Sequence, residues 1–147
     1  TAILAKREGM EALYLDVAEP TQVLRFAAHA GQLKPLHSAA SGRAMLGLMP
    51  EAERRSLVEK LDLQRYSSTT LVDAEAVLQE IEAGERRGWH IAVGEYRSDT
   101  TAIAAGFRLG GEEYALIVGA PINRVAERHA EIGNLLHRHA RQLMDQA

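Results

Sequence analysis

The side chains that could perform chemistry in this sequence are six histidines and two serines close to one of them, because the chain contains no cysteine. Without cysteine there is no disulfide, thiolate metal site or thiol nucleophile. Three histidines fall in one predicted helix: His129, His137 and His139. Their spacings of eight and two residues do not place two imidazoles one turn apart on the same face. We therefore expect no metal and no cofactor, and assign these histidines to solvent or to a subunit interface.

Ser38 and Ser41 lie near His37 and offer the residue types of a nucleophile and its base. They lack the Gly-x-Ser-x-Gly pattern that exposes a nucleophilic serine at a strand-to-helix turn. The acidic residues are no better candidates, since Glu112 and Glu113 fall in a predicted surface hairpin and the other acids follow a solvated helix face. We therefore expect no catalytic activity.

The stretch from Gly31 to Leu46 offers a different chemistry, the binding of an anion. Pro35 ends an extended segment, and a turn rich in Ser and Gly leads into an apolar helix with Ser38 and Ser41 as candidate N-caps. Backbone N–H groups at a helix start are unpaired and carry partial positive charge, so this turn could hold a carboxylate. An ordinary capped helix start explains the same residues, and the local sequence leaves both interpretations open.

The composition describes one folded domain with a small negative charge. A chain of 147 residues, 46% of them apolar, can bury a core. The net charge of −3 argues against DNA binding by this segment itself, because phosphate contacts need lysine and arginine. There is no signal-peptide pattern and no apolar run long enough for a bilayer, so we expect a cytoplasmic location. The apolar start at Ala2-Ile3-Leu4-Ala5 resembles the beginning of a strand, and we expect a fragment of a longer protein.

The hydrophobic pattern predicts alternating strands and helices. Two hairpins are predicted around Gly-containing turns, with arms at 3–6 and 12–17 and at 100–107 and 113–118. Two further strands are predicted at 23–27 and 89–93. Helices are predicted at 41–48, from Pro50, at 74–87 between Asp73 and Gly88, and at 124–144. The hairpins favour an α+β fold with a largely antiparallel central sheet and helices packed on it.

Several motifs follow one another along the chain. They are Pro35-Leu36-His37, Gly42-Arg43-Ala44, Glu85-Arg86-Arg87-Gly88-Trp89, Gly94-Glu95-Tyr96, Ile103-Ala104-Ala105-Gly106-Phe107, and Ala115-Leu116-Ile117-Val118-Gly119-Ala120-Pro121 before Arg124. Their order and spacing resemble the effector-binding domain of IclR-type bacterial transcription regulators over nearly the whole chain. The family usually carries Lys at the position of Arg43 and Gly at that of Asp99. The resemblance implies a GAF/PAS-like sheet with a ligand cavity on one side.

The resemblance also implies which residues line that cavity. Carried over by position, the lining consists of Ala40, Ser41, Ala92, Ala102, Ile117 and Gly119, an apolar wall of Val23 and Phe26, and the polar residues Ser38 and Glu95. Such a lining fits an apolar or aromatic ligand that carries one acid group at the helix start. A degenerate, empty pocket is the alternative.

The function implied by the resemblance is effector binding and oligomerisation in a regulator whose helix-turn-helix domain lies before Thr1. The expected partners are a small-molecule effector, further copies of the chain in a dimer or tetramer, and DNA through the other domain only; no membrane is expected. Ligand binding would shift the populations of subunit arrangements. Two alternatives remain: a small-molecule-processing enzyme on a GAF-like fold and a ligand-free dimerisation module.

Overall fold

The computed structural model of the protein describes residues 1–146, in which one six-stranded sheet carries helices on both faces. The strands are β1 (Ala2–Glu8), β2 (Glu11–Ala18), β3 (Leu33–Pro35), β4 (His90–Val93), β5 (Thr100–Leu109) and β6 (Glu112–Pro121). The helices are α1 (Ala40–Gly47), α2 (Glu51–Lys60), α3 (Ala74–Arg87), α4 (Ile122–Val125) and α5 (His129–Asp145). The strand order is β3-β2-β1-β6-β5-β4 and every neighbouring pair is antiparallel, which confirms the predicted α+β class.

Side-chain alternation along β5 divides the core into two layers. Ala104 faces the cluster built with α1, α2 and α3, whereas Ile103 and Phe107 face the cluster under α5. The first layer also holds the helix α3 stripe that the sequence predicts, including Val77 and Ile81. The sheet is therefore covered on both sides, and a site on one face is separated from the other helix layer by the sheet itself.

Both predicted hairpins are present, and the ends of α3 are formed as the sequence indicates. The Asp73 carboxylate accepts a hydrogen bond of 3.1 Å from Ala76 N. Gly88 follows the helix with a φ of 94°, a left-handed conformation that suits glycine. Among residues 1–146, we find no helix with the length and apolar character needed to cross a membrane.

The predicted strand at 23–27 is wrong, because this segment joins no ladder of the sheet. It belongs to an irregular connection between β2 and β3. The Phe26 carbonyl accepts a hydrogen bond from Thr1 Oγ1, and both Phe26 and Ala28 are buried while Val23 is exposed. The apolar residues of the segment cover the core without pairing as a strand.

Two helix boundaries also differ from the prediction. The continuous helix at 124–144 is wrong, because Arg128 has a non-helical backbone (φ −122°, ψ 14°) that separates α4 from α5. The serine caps of α1 are wrong as well: its N-cap is Ala39, and no side chain caps the helix. The hydroxyls of Ser38 and Ser41 are buried and have no hydrogen-bond partner among the described residues.

Gly42 allows α1 to lie directly against the turn that precedes it. A Cβ atom at this position would lie 2.3 Å from the Leu36 carbonyl oxygen and 2.4 Å from Leu36 Cα. Both are backbone atoms, so the neighbour cannot rotate away. The glycine of the motif is thus required by the close approach of helix and turn.

His90 begins β4 and is buried beneath α3. Its Nε2 lies 2.8 Å from Glu85 Oε2, and its Nδ1 has no partner in the described part of the chain. Burial lowers the pKa of His90; the Glu85 carboxylate opposes this shift, and Arg87 and Arg43 add to it. The folded protein therefore favours the neutral imidazole.

Replacing Gly42 by Ala should lower the free energy of unfolding by about 1–3 kcal/mol or more, since the added methyl group overlaps a backbone. Gly47→Ala is the matched control in the same helix, because the atoms it meets belong to the end of the Glu85 side chain, which can rotate. Urea unfolding measures both variants. Equal losses would contradict the argument from close approach.

The stability of the fold should decrease as the pH falls below the ordinary histidine pKa of about 6.5. Below that pH the unfolded chain binds a proton at His90, whereas the folded chain binds it only below its lowered pKa. The free energy of unfolding should therefore fall by at most about 1.4 kcal/mol per pH unit. Unfolding of the wild type and of His90→Phe over about pH 5–8 isolates this effect. A difference between the two proteins that does not change with pH would contradict it.

Candidate functional site

Arg43 is fully buried and connects the turn before α1 to the strand and loop on the other side of the site. Its Nε donates to the His37 carbonyl at 2.9 Å, and its Nη1 donates to the Ile91 carbonyl at 3.1 Å. Nη1 also donates to Glu95 Oε2 at 2.9 Å, while Nη2 donates to Glu95 Oε1. A planar guanidinium can make these bonds together, whereas a lysine cannot form the same fork.

Glu95 is held from two directions. Both carboxylate oxygens pair with Arg43, and its backbone carbonyl accepts a hydrogen bond of 2.6 Å from Thr70 Oγ1. Ser67 Oγ donates to the neighbouring Gly94 carbonyl. The loop between β4 and β5 is therefore fixed beside the start of α1, and the Glu95 charge is already neutralised.

A small cavity lies between this loop, the turn before α1 and strands β2 and β3. Its lining residues are Tyr14, Phe26, Lys34, Ser38, Ala39, Ala92, Glu95, Tyr96, Arg97, Thr100 and Ala102. The volume is about 30 Å³. A site of this size has room for about two water molecules. An organic molecule is larger than this, so lining side chains must move before one fits.

Phe26 closes the cavity on the side of β6. Its ring lies against Gly119, where an added Cβ would be 2.6 Å from Phe26 Cγ. The ring is only 9% exposed, although the segment that carries it has no regular secondary structure. Tyr96 forms another wall and also lines an outer groove together with His37 and Tyr66.

Lys34 is the buried cation of the lining. The residue as a whole is 5% exposed, and its Nζ lies 4.4 Å from the ring centroid of Tyr96 and 5.7 Å from that of Tyr14. Burial lowers the pKa of Lys34, and the nearby positive charge of Arg97 acts in the same direction. Burial also raises the pKa of Tyr14 to about 12, so this phenol stays neutral and supplies no negative charge.

The structure brings half of the sequence-predicted site residues together in the lining. These are Phe26, Ser38, Ala92, Glu95 and Ala102. Ala40, Ser41 and Ile117 are buried but do not line the cavity, and Gly119 lies behind Phe26. Val23 was expected in the apolar wall, but its side chain is 94% exposed, and this placement is wrong because the segment turns outward there.

Sequence reasoning missed six lining residues: Tyr14, Lys34, Ala39, Tyr96, Arg97 and Thr100. Lys34 precedes Pro35, and the inward direction of its side chain follows from the register of β3, which no local pattern reveals. Tyr96 adjoins the predicted Glu95, so its position in the motif was the available signal.

In residues 1–146, the histidine, serine and acidic side chains suited to other chemistry form neither a serine–histidine pair nor a metal-binding group. His37 Nε2 lies 2.9 Å from the Gln64 carbonyl, and the hydroxyls of Ser38 and Ser41 make no hydrogen bond to it. Within residues 1–146, no three His, Asp or Glu side chains form a group that could hold a metal ion.

The family described as bacterial transcriptional regulator IclR C-terminal matches residues 1–145 of the chain. Among curated relatives, the HTH-type transcriptional regulator KipR of Bacillus subtilis (strain 168) is 33% identical over 102 residues. That alignment covers 69% of this chain and 41% of KipR. The chain spans about half the length of the curated relatives it matches.

Solved structures share the fold. The Thermotoga maritima IclR structure matches with a TM-score of 0.90 at 20% identity, covering 99% of this chain and 60% of that one. A double mutant of the PobR inducer-binding domain from Acinetobacter, in complex with 3-hydroxybenzoic acid, matches with a TM-score of 0.80 at 20% identity. That match covers 99% of this chain and 88% of the PobR chain.

Removing one partner of the buried Arg43–Glu95 pair should be costly. Arg43→Met leaves the Glu95 carboxylate without its cation, and we expect a loss of about 3–5 kcal/mol in the free energy of unfolding. The double variant Arg43→Met/Glu95→Gln should lose less than the sum of the two single variants, because no unpaired charge remains.

Arg128→Gln is the control for the same measurement, since it breaks an exposed pair with Glu131. It should not change the urea midpoint measurably. Additive losses at residues 43 and 95, or a loss at Arg43 no larger than that at Arg128, would contradict the role of the buried pair.

Proposed function

The chain belongs to the family of C-terminal domains of IclR-type bacterial transcriptional regulators and is an effector-binding domain of that family, and on this premise we propose that its effector is a small organic acid. The observation that carries the proposal is the small cavity at the start of α1. Its walls are mainly apolar and aromatic, and the buried hydroxyl of Ser38 has no partner there among the described residues. An apolar or aromatic body with one acid group suits such a lining.

The acid group would lie at the start of α1. The first backbone N–H groups of this helix have no intrahelical acceptor, and no side chain caps them. Their partial positive charge favours an anion. Entry of the ligand requires Phe26 to leave its place on Gly119, because the closed cavity of about 30 Å³ is too small for an organic acid.

The remainder of the proposal concerns the longer protein. We propose that a helix-turn-helix segment precedes residue 1, a view supported by the description of KipR as an HTH-type regulator and by the partial coverage of that protein. Ligand binding would favour one arrangement of subunits in a dimer or tetramer and thereby change DNA affinity. A cytoplasmic location belongs to the same proposal, since the regulator must reach DNA.

We also infer that the domain catalyses no reaction. Neither Ser38 nor Ser41 has a base within hydrogen-bond distance in the described part of the chain, and His37 is engaged by a backbone carbonyl. A nucleophile without a base or a lowered pKa is weak. The family and the curated relatives are regulators, which agrees with this inference.

Thermal and urea unfolding with a panel of aromatic acids, aliphatic acids and neutral aromatics tests the proposed function. An acid at 100 times its dissociation constant should raise the free energy of unfolding by about 2.7 kcal/mol. The panel includes 3-hydroxybenzoate, the ligand of the PobR domain. Recovery of the compound unchanged separates a sensor from an enzyme.

The variant Ala102→Leu fills the cavity from β5 and should abolish the stabilisation by the acid. Ala52→Leu is the control, since Ala52 is exposed on α2, away from the cavity lining. A panel without any stabilising compound would favour a ligand-free module, and conversion of a compound would favour an enzyme; either result would contradict the proposal.

A further inference from the structure

We propose that Lys34 determines the charge specificity of the cavity, pairing its ammonium group with the carboxylate of a small aromatic acid. This inference rests on the proposed function and adds the residue that recognises the acid group. The contacts of Nζ with the two tyrosine rings are then its resting position, which it leaves when a carboxylate enters.

The backbone directs Lys34 inward. Strand β3 has three residues, and Lys34 lies opposite Ala12 of β2 in the antiparallel register. Successive side chains of a strand point to opposite faces. Lys34 therefore shares the inner face with Ala12, whereas its neighbour Leu33 is 50% exposed. An apolar side chain at position 34 would fill the same buried position, so packing of the core does not explain why the residue is a lysine.

The ammonium group lacks a negative partner. Among the described residues, none of the ion pairs includes Lys34, and its aromatic neighbours Tyr14 and Tyr96 compensate burial only in part. Burying a charge is unfavourable unless it is paired. Burial and the Arg97 charge lower the pKa of Lys34, which is the response expected of a cation that has no anion beside it.

No acid of the described lining pairs with Lys34. Glu95 is the one carboxylate among the described lining residues, and Arg43 occupies both of its oxygens. Lys34 and Arg97 remain as positive charges on the same cavity. The lining thus has an excess of positive charge that a monoanion would reduce.

A second residue with an unpaired donor belongs to the lining from another element. Ser38 lies in the turn before α1, is fully buried and has a hydroxyl with no partner in the described part of the chain. Lys34 and Ser38 both line the cavity. A carboxylate has two oxygens and can accept from both donors, while a flat ring suits the side bounded by Phe26 and Tyr96.

The first test needs no ligand. If Lys34 is buried without a partner, Lys34→Met should raise the midpoint of thermal unfolding, because the variant removes the cost of burying a charge. Lys60→Met, the same change at an exposed residue of α2, should leave the midpoint unchanged. A lower midpoint for Lys34→Met and for the neutral polar variant Lys34→Gln would show that the ammonium stabilises the fold, and would overturn the proposal.

The second test measures charge selectivity by calorimetric titration of the 147-residue chain with 3-hydroxybenzoate and with neutral 3-hydroxybenzamide. Lys34→Met should weaken binding of the acid by about 10- to 100-fold, the range expected for a hydrogen bond to a charged group. Binding of the amide should be unaffected. Lys34→Gln provides the same comparison if the Met variant does not fold.

The outcomes separate this inference from the proposed function. If Ala102→Leu abolishes binding of 3-hydroxybenzoate while Lys34→Met leaves it intact, the cavity is the effector site and the role of Lys34 is wrong. If Lys34→Met weakens binding of the acid and of the amide equally, Lys34 shapes the cavity and does not select charge. If the wild type binds neither benzoate nor 3-hydroxybenzoate at millimolar concentration while an aliphatic acid of the panel stabilises it, the aromatic acid of this inference is wrong and the proposed function stands; if no acid of the panel stabilises it, both fail.

Discussion

The buried pair of Arg43 and Glu95 is the interaction on which the site depends. A guanidinium without exposed surface joins the His37 carbonyl, the Ile91 carbonyl and both oxygens of one carboxylate. These groups belong to the turn before α1, to β4 and to the loop that follows β4. The pair thus holds three separate segments together at the place where the cavity forms, and an isolated charge at either position would be expensive to bury.

This pair also fixes the charge of the cavity. Glu95 is neutralised by a structural partner, and no ion pair among the described residues joins it to Lys34, whose ammonium group lies against aromatic rings. The cation that holds the site together is therefore a different residue from the cation that we propose for recognition. Hydrogen bonds fix the wall on the side of Arg43, whereas the irregular segment around Phe26 forms another wall against Gly119.

Much of the fold could be predicted from the sequence because its signals are local. Glycine-containing turns between apolar arms determine both hairpins, and Asp73 with Gly88 marks the ends of α3. The cavity was harder to predict from the sequence. Arg43 and Glu95 are 52 residues apart, and no local pattern pairs them.

Lys34 was missed because a lysine beside a proline is usually solvated, and only its register opposite Ala12 shows that it points inward. The predicted N-caps of α1 are wrong for a related reason. Ser38 and Ser41 have the residue type of N-caps, but Ala39 takes that position and leaves their hydroxyls unpaired. The apolar residues at 23–27 resemble a strand because a run of apolar residues looks the same whether the segment pairs in a sheet or packs over the core as an irregular connection.

The packing of the Phe26 ring against Gly119 bears on how fast a ligand could bind. Under the proposed function, the small cavity must widen before a ligand fits, so the observed dissociation constant would exceed the intrinsic one by the inverse of the open fraction. Association would then depend on how often the Phe26 ring lifts away, at a rate below that of diffusional encounter. Such a domain would average the ligand concentration over its opening time and would not respond to fluctuations shorter than that interval.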